Sequence, residues 1–270
     1  FPIETELKSG KKIILKTFQG MYFELFIKNY NNVDYDFAND LVQIQNINLE
    51  EVNKNIKFFG GVNNGDIING FLGMDYNSIS VKNKTIIDIG ANIGDTPIYF
   101  ICSGAKNVVG IEPFPKNFEL AKKNIEVNNM KEKIQLVNAG CASKKGFIKI
   151  DPDISNTIST IDEVSNGKKI PLLTIDNIIK EYHILDNSIL KIDCEGCEYD
   201  IIKNLSKNSF QKFSDIFVEY HNGYKELKKI LEKERFRVKI TKPVATNVIN
   251  SIFGLINNHT KKNTVIIVTT

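Results

Sequence analysis

The stretch Thr85–Pro97 constrains the fold of this chain more than any other. It opens with the β-branched apolar residues Ile86, Ile87 and Ile89, which are typical of a strand buried on both faces. The glycines Gly90 and Gly94 follow, and Thr96–Pro97 then supplies an N-cap residue and a proline suited to the first position of a helix. The pattern predicts a strand, a tight glycine turn and a helix, the corner at which open α/β sheets bind nucleotides.

An acidic residue at the end of the next strand strengthens this interpretation. The apolar run Val108–Ile111 ends at Glu112, which follows Gly90 by 22 residues. In nucleotide-binding sheets an acid about 20 residues after the glycine turn binds the ribose hydroxyls. The turn and the acid therefore both indicate a nucleoside-containing cofactor.

The charge of the turn favours one class of cofactor. The glycine spacing differs from Gly-x-Gly-x-x-Gly, and a dinucleotide pyrophosphate requires a positive helix N-terminus. Asp88 and Asp95 instead bring negative charge to this turn. A ligand with a cationic head, such as the ammonium and sulfonium of S-adenosylmethionine, suits it better. A nucleotide-dependent oxidoreductase on a similar sheet remains an alternative.

Two motifs together resemble the FkbM family of class I S-adenosylmethionine-dependent methyltransferases. The first is Asp-Ile-Gly-Ala-Asn-Ile-Gly-Asp-Thr at 88–96, and the second is Leu-Lys-Ile-Asp-Cys-Glu-Gly-Cys-Glu at 190–198. The resemblance covers about Lys82 to Glu219. It implies S-adenosylmethionine as cofactor and O-methylation of a hydroxyl on a small-molecule or carbohydrate-like acceptor.

The order of apolar segments predicts the fold class. From Lys82 onward, strands alternate with helices, which indicates an α/β, doubly wound and mostly parallel sheet. The resemblance adds that this Rossmann-like sheet has seven strands. We expect an N-terminal α+β cap at 1–80 and the cofactor-binding domain at 81–270. Within the cap, Ile3–Leu7 and Lys12–Leu15 predict a hairpin, and Met21–Phe59 has mostly helical spacing.

Three further segments of the second domain have local predictions. Residues 144–173 have the pattern of a small antiparallel excursion, and Thr174 is expected to cap the helix after it. The insertion 241–263 has apolar residues at helical spacing. A helix that covers the core, a dimer face and a lid over the substrate are all compatible with that pattern.

The cofactor site predicted from these patterns lies at the strand ends. We expect Glu112 to bind the ribose, and Asp88 to contact the amino group directly or through water. Asn138 follows the third strand, where it either contacts adenine or bonds its own backbone. The predicted cofactor-binding residues are Asp88, Gly90, Asn92, Gly94, Asp95, Thr96, Glu112, Pro113, Asn138 and Asp193.

Methyl transfer to a hydroxyl benefits from a nearby base, and three residues are candidates. His221 is preferred because its unperturbed pKa lies closest to neutrality, and Asp193 and Glu195 end the neighbouring strand. A divalent ion bound by Asp193, Glu195 and Glu219 is an alternative that we do not favour, and no metal ligand is assigned. A methyltransferase-fold subunit that binds cofactor without turnover is the non-enzymatic alternative.

Composition limits which binding partners and which cellular compartment we expect. With 35 basic and 32 acidic residues the net charge is +3, which argues against a nucleic-acid partner. The sequence has no apolar run long enough for a membrane span and no visible signal peptide, so a cytoplasmic protein is expected. Four cysteines are too few for a disulfide framework. Cys194 and Cys197 are expected to be small residues lining a strand end, and a redox or metal site at this pair is an alternative that we do not favour. Oligomeric state is not indicated.

Overall fold

The computed structural model describes residues 3–6, 12–15, 32–47, 49, 55–64, 67, 70–71, 76–151, 167–194, 196–220, 223–240 and 264–269. Two predicted catalytic residues, Glu195 and His221, lie outside these ranges, as does the insertion 241–263.

The described N-terminal elements are two small antiparallel sheets and one short helix. Strand β1 (Ile3–Glu6) pairs with β2 (Lys12–Leu15), which confirms the predicted hairpin. Strands β3 (Val33–Asp36), β4 (Leu41–Ile44) and β5 (Ile56–Phe59) form the second sheet, and α1 (Gly61–Asn64) follows it.

The helical prediction for Met21–Phe59 is wrong in the residues that the structure describes. Burial alternates along β4, where Val42 and Ile44 face the core, and the same alternation continues in β5. This period of two belongs to a half-buried strand. The antiparallel pairing of β4 with β3 and β5 outweighed the helical spacing of the apolar residues.

The remaining elements follow in chain order. They are β6 (Thr85–Ile89), α2 (Asp95–Cys102), β7 (Asn107–Ile111), α3 (Pro115–Val127), β8 (Ile134–Val137), β9 (Gly140–Cys141), β10 (Gly146–Ile150), β11 (Lys168–Leu173), α4 (Ile175–Glu181), β12 (Ser188–Ile192), α5 (Glu198–Asn204), α6 (Lys207–Phe210), β13 (Phe213–Tyr220), α7 (Lys225–Lys233), β14 (Arg237–Ile240) and β15 (Thr264–Thr269).

The central sheet has the strand order β14-β15-β13-β12-β6-β7-β8. The run from β13 to β8 is parallel throughout, whereas β15 pairs antiparallel with both of its neighbours. The prediction of a Rossmann-like, mostly parallel sheet is therefore confirmed. Because parallel strands end at one edge, Asp88, Glu112 and Asp193 come to the same side of the sheet.

Helices cover both faces of this sheet, and the side chains of each strand alternate between two cores. Ile86 and Val108 belong to one core, which they share with α2, α3 and residues of the β3–β5 sheet. Ile87 and Val109 belong to the other core, against α4, α5 and α7. Alternate burial on two faces explains why the parallel strands are nearly uniform apolar runs.

Aromatic rings join the N-terminal segment to the first core. Tyr76 lies with its ring centroid 4.7 Å from Phe217 and 5.3 Å from Phe100, while Phe71 lies 5.4 Å from Tyr99. Aromatic pairs at such distances contribute about 0.5–1.5 kcal/mol beyond their burial. The N-terminal residues that pack here are thus part of the core that supports α2, and the boundary at residue 80 stays a prediction.

Two local predictions concern helix starts. Helix α4 begins as expected, because the Thr174 side chain accepts a hydrogen bond from the Asn177 amide in a capping box. Helix α2 begins two residues earlier than expected, with Gly94 as N-cap and Thr96 already inside the first turn. Thr96 does not cap because its hydroxyl binds the Asp88 carboxylate instead.

The predicted antiparallel excursion is also present in the described residues. Strand β10 pairs antiparallel with β11, and β11 returns parallel to β9 beside the end of β8. The excursion therefore starts and ends at the edge of the sheet that carries the strand-end carboxylates.

Candidate cofactor and active site

The end of β6 is a buried ionic cluster. Asp88 is fully buried, and its Oδ2 accepts a hydrogen bond of 2.5 Å from Thr96 Oγ1. The Nζ atom of Lys191 lies 3.0 Å from Asp88 Oδ1, and this ammonium is 1% exposed. Burial raises the pKa of Asp88 overall, against the lowering effects of Lys191 and Thr96. Asp88 thus has a protein partner at each oxygen.

Lys191 also holds the glycine turn and the end of its own strand. Its Nζ donates a 2.9 Å hydrogen bond to the Gly90 carbonyl and lies 3.6 Å from Asp193 Oδ2. Burial by itself lowers the pKa of Lys191, but the carboxylates of Asp88 and Asp193 raise it overall. Sequence reasoning missed this residue. The signal was a lysine within the otherwise apolar strand β12, since a buried lysine requires partners.

Gly90 is required by the neighbouring strand. Its φ is +84°, and a Cβ at this position would stand 1.8 Å from the Asp193 carbonyl oxygen. The glycine therefore permits the ends of β6 and β12 to approach each other closely. Asn92 and Gly94 also have positive φ, at 48° and 85°, and continue the turn into α2.

Asp95 supplies the clearest sign that this corner binds a charged ligand. It is the first residue of α2, is 3% exposed, and its Oδ1 has no hydrogen-bond partner among the described residues. Burial raises the pKa of Asp95 to about 7 against the lowering effect of Lys191. A buried carboxylate oxygen without a donor is costly unless a ligand satisfies it. The ammonium of a methionine moiety is such a donor, so the residues present fit S-adenosylmethionine.

Glu112 ends the neighbouring strand β7 in a different environment. It is 3% exposed, and its two carboxylate oxygens accept hydrogen bonds from the backbone amides of Asn92 (2.8 Å) and Phe114 (2.9 Å). Burial raises the pKa of Glu112 to about 8, although both amides lower it. The carboxylate joins the glycine turn to the second corner and retains lone pairs that can accept from ribose hydroxyls.

Asn138 ties the third corner to the second. Its Nδ2 donates to the carbonyls of Glu112 (2.9 Å) and Pro113 (3.2 Å). The asparagine therefore bonds the backbone of the neighbouring corner and not its own turn. The structure brings Glu112, Pro113 and Asn138 together, as the sequence predicted, and the adenine contact stays a prediction.

Of the three predicted catalytic residues, the structure describes Asp193. It directly follows β12, its side chain is 26% exposed, and its Oδ2 lies 3.6 Å from Lys191 Nζ. Among the described residues, no group of three His, Cys, Asp or Glu side chains is arranged to hold a metal ion. Because Glu195 lies outside those residues, the alternative with three carboxylates is not tested.

The loop after Asp193 contains a feature that the sequence analysis did not favour. Cys194 and Cys197 are joined by a disulfide, and the Cα atoms are 5.6 Å apart. The favoured expectation, that the two cysteines are only small residues lining a strand end, is therefore wrong. Glu198 Oε1 accepts from the amides of Cys194 and Gly196, so the carboxylate that follows the disulfide folds back over its loop.

Comparison with known proteins assigns this architecture to a family. The family model described as a methyltransferase FkbM domain matches residues 88–238, more than half of the chain. The match contains both motifs and all the strand-end carboxylates described above. The resemblance stated from the sequence is confirmed, and with it the class of cofactor.

Two curated relatives match about half of the chain. Uncharacterized protein 158B of Sulfolobus islandicus rod-shaped virus 1 is 26% identical over 147 residues, which are 54% of this chain and 66% of that protein. Methyltransferase sdnD of Sordaria araneosa is 20% identical over 172 residues, 51% of this chain and 66% of its own length. The chain thus spans slightly less than two thirds of each of these relatives.

A solved structure with a similar fold leads to one correction. It is a candidate tRNA (m1A22) methyltransferase of Streptococcus pneumoniae in complex with S-adenosyl-L-methionine, 14% identical, with a TM-score of 0.44 and coverage of 72% of this chain and 69% of that chain. Solved structures of similar fold thus include RNA methyltransferases, so the prediction that excluded nucleic acid is wrong. Net charge was a poor criterion, because the local distribution of charge governs such contacts.

Within the part of the chain that the structure describes, no helix has the length and apolar composition needed to cross a bilayer.

Proposed function

The chain belongs to the FkbM methyltransferase family, and on this premise we propose that it transfers a methyl group from S-adenosylmethionine to a hydroxyl oxygen. The proposed acceptor is a small molecule or a carbohydrate. The observation that carries the cofactor assignment is the buried Asp95 oxygen without a donor, on the corner next to Glu112. The family and its implied chemistry support the hydroxyl acceptor.

The proposed cofactor contacts divide between the two corners. Glu112 accepts from the ribose hydroxyls, and Asn138 with Pro113 borders the adenine. Asp95 accepts from the ammonium of the methionine moiety, while Asn92 and Gly94 form the turn along which that moiety lies. Three carboxylates, Asp88, Asp95 and Asp193, surround one ammonium, that of Lys191, so a net negative potential remains for a cationic ligand.

The chemistry requires one proton acceptor from the protein. The bound cofactor supplies a methyl carbon activated by its sulfonium. Held by Asp95 and Glu112, the cofactor would supply this methyl group to the acceptor oxygen, and the electron pair of the broken carbon–sulfur bond would stay on sulfur. The hydroxyl proton goes to His221, the preferred base, or to Asp193, whose partly exposed carboxylate directly follows β12. Such a base accelerates the reaction by about 10²–10⁴-fold.

Cofactor binding is the first experiment. S-adenosylhomocysteine, the demethylated product, is titrated into the purified chain and its Glu112→Ala variant in a calorimeter. The variant should bind at least about tenfold more weakly, because it loses charge-assisted hydrogen bonds. Glu119→Ala is the matched control, since Glu119 is an exposed glutamate on α3 whose partner is Lys122. Equal affinity of Glu112→Ala and the unaltered chain would refute the ribose assignment.

Acceptor chemistry is the second experiment. Methyl transfer from labelled cofactor is measured on panels of hydroxyl compounds, oligosaccharides, amines and RNA oligonucleotides. Transfer to oxygen supports the proposal, whereas transfer only to nitrogen or carbon overturns it. Full turnover by His221→Asn on the identified acceptor would rule out His221 as the base. Cofactor binding without transfer to any acceptor would favour the non-enzymatic alternative.

A further inference from the structure

The N-terminal segment 55–64 is attached to the methyltransferase core by Asn124 of α3 and by Asn128, the residue that ends this helix as its C-cap. The fully buried Asn124 accepts from the Phe59 amide (2.7 Å) and donates to the Phe59 carbonyl (3.0 Å). One helical turn later, Asn128 does the same with Lys57, at 3.0 and 2.8 Å. These side chains reproduce the hydrogen bonds of a neighbouring strand, so the free edge of β5 is paired with a helix.

This attachment brings Asn64, the last residue of α1, to the glycine turn. Its Nδ2 donates to Asn92 Oδ1 (3.0 Å), and Asn92 Nδ2 donates back to Asn64 Oδ1 (3.1 Å). Asn117 of α3 donates a third hydrogen bond to Asn92 Oδ1 (3.0 Å). The Asn92 side chain is thus held by one residue from the N-terminal segment and one from the core.

The backbone of Asn92 extends this chain of contacts to Glu112. Asn92 has a φ of 48°, a conformation that a side chain with local hydrogen bonds makes accessible. In this conformation its amide donates the 2.8 Å hydrogen bond to Glu112 Oε2. Asn64 is therefore connected through a single residue to the carboxylate that the proposed function assigns to the ribose.

We propose that residues 55–64 form part of the cofactor site and that Asn64 is a positioning residue, acting through Asn92 on Glu112. This inference rests on the proposed function. Asn64 fixes the turn and the carboxylate before the adenosyl moiety binds, so the ligand does not have to order them. A purely structural role for Asn64 would change the stability of the chain and leave cofactor affinity unaltered.

The test compares cofactor affinity with stability. S-adenosylhomocysteine is titrated calorimetrically into the unaltered chain, Asn64→Ala and Asn64→Asp, and each variant is also unfolded in urea. We expect affinity to fall by about tenfold in both variants. Asn64→Asp preserves the size of the side chain but places an acceptor opposite Asn92 Oδ1. It provides the test if the alanine variant does not fold. Asn39→Ala is the matched control, because Asn39 is exposed and donates a hydrogen bond to Asp36 at the end of β3.

The kinetic signature separates positioning from catalysis. Once an acceptor is identified, KM for S-adenosylmethionine should rise in Asn64→Ala, with little change in kcat or in KM for the acceptor. Affinity within twofold of the unaltered chain in both Asn64 variants would overturn the inference and leave the proposed function intact. Absence of S-adenosylhomocysteine binding by the unaltered chain would overturn both.

Discussion

Asp88 and Glu112 belong to neighbouring parallel strands and are both buried, yet the protein compensates their charges in different ways. Asp88 has an ammonium 3.0 Å away and a hydroxyl at its other oxygen. Glu112 has two backbone amides, and its pKa is raised to about 8. An ion pair fixes the charge of a carboxylate, whereas neutral dipoles stabilise it less.

The difference separates a structural carboxylate from one that can serve a ligand. The partners of Asp88 hold β6, β12 and α2 together, so its charge is already used within the fold. The charge of Glu112 is only partly satisfied, and additional hydroxyl donors from a ribose would stabilise its ionised form. The comparison predicts that mutations at the β6 end mainly affect stability, while those at the β7 end affect pH dependence and cofactor affinity.

The largest effect is expected from Lys191→Met. This change shortens the side chain by one atom and leaves Asp88 buried without its cation. Breaking a buried pair by removing one partner costs about 3–5 kcal/mol. The free energy of unfolding, measured in urea at neutral pH, should fall by that amount.

The double variant Asp88→Asn/Lys191→Met is the sharpest control for this prediction. Replacing Asp88 as well removes the fully buried carboxylate that loses its nearest cation in Lys191→Met, so the double variant should be more stable than Lys191→Met alone. Lys212→Met, which removes a largely exposed ion pair with Asp186, should have a much smaller effect. A Lys191→Met variant as stable as Lys212→Met would contradict a structural role for the β6 cluster.

The second prediction concerns Glu112→Gln and the pH dependence of stability. Because the folded pKa of about 8 lies above the ordinary value of 4.5, the folded protein binds this proton more tightly than the unfolded chain. The contribution of Glu112 to the free energy of unfolding is therefore fully present at low pH, and it is lost as the pH rises from 4.5 to about 8. The loss is at most about 1.4 kcal/mol per pH unit. Glu112→Gln should abolish this component.

The measurement is the difference in unfolding free energy between the unaltered chain and Glu112→Gln across that pH range. The buried Asp95 contributes a slope of the same sign below pH of about 7, but it is present in both proteins and cancels. Glutamine offers one acceptor to two amides, so the variant is less stable at low pH and the two curves converge as pH rises. Parallel curves would show that Glu112 does not titrate with a raised pKa.

The central sheet could be predicted from the sequence because each parallel strand is recognisable from its own residues. A strand buried on both faces is a continuous apolar run, and the glycine turn and capping box have fixed local chemistry. The β3–β5 sheet was missed because its formation depends on pairing between strands. The spacing of apolar residues within one segment carries no information about such pairing.

At the site, sequence placed the carboxylates but not their partners. Asp88, Glu112 and Asp193 follow from the rule that parallel strands end at one edge. Lys191 and Asn64 could not be placed, because their roles depend on contacts across strands and on the docking of a distant segment. A lysine within an apolar strand does indicate that it has a charged partner, although the sequence does not say which one. Nothing in the sequence around Asn64 indicates its partner.

The smallest effect is expected from Thr96→Val, which removes the hydroxyl donor to Asp88 and preserves the shape of the side chain. A hydrogen bond to a charged group contributes about 1.5–3 kcal/mol, and the lower end applies here because Lys191 remains. The control is Thr85→Val at the start of β6, the strand that carries Asp88. There the hydroxyl loses a neutral partner, the side-chain amide oxygen of Asn107. The two variants are compared by urea unfolding at neutral pH. Thr96→Val should cost more than Thr85→Val. Equal costs would mean that Asp88 is protonated in the folded protein, and the contrast between the ends of β6 and β7 would then be lost.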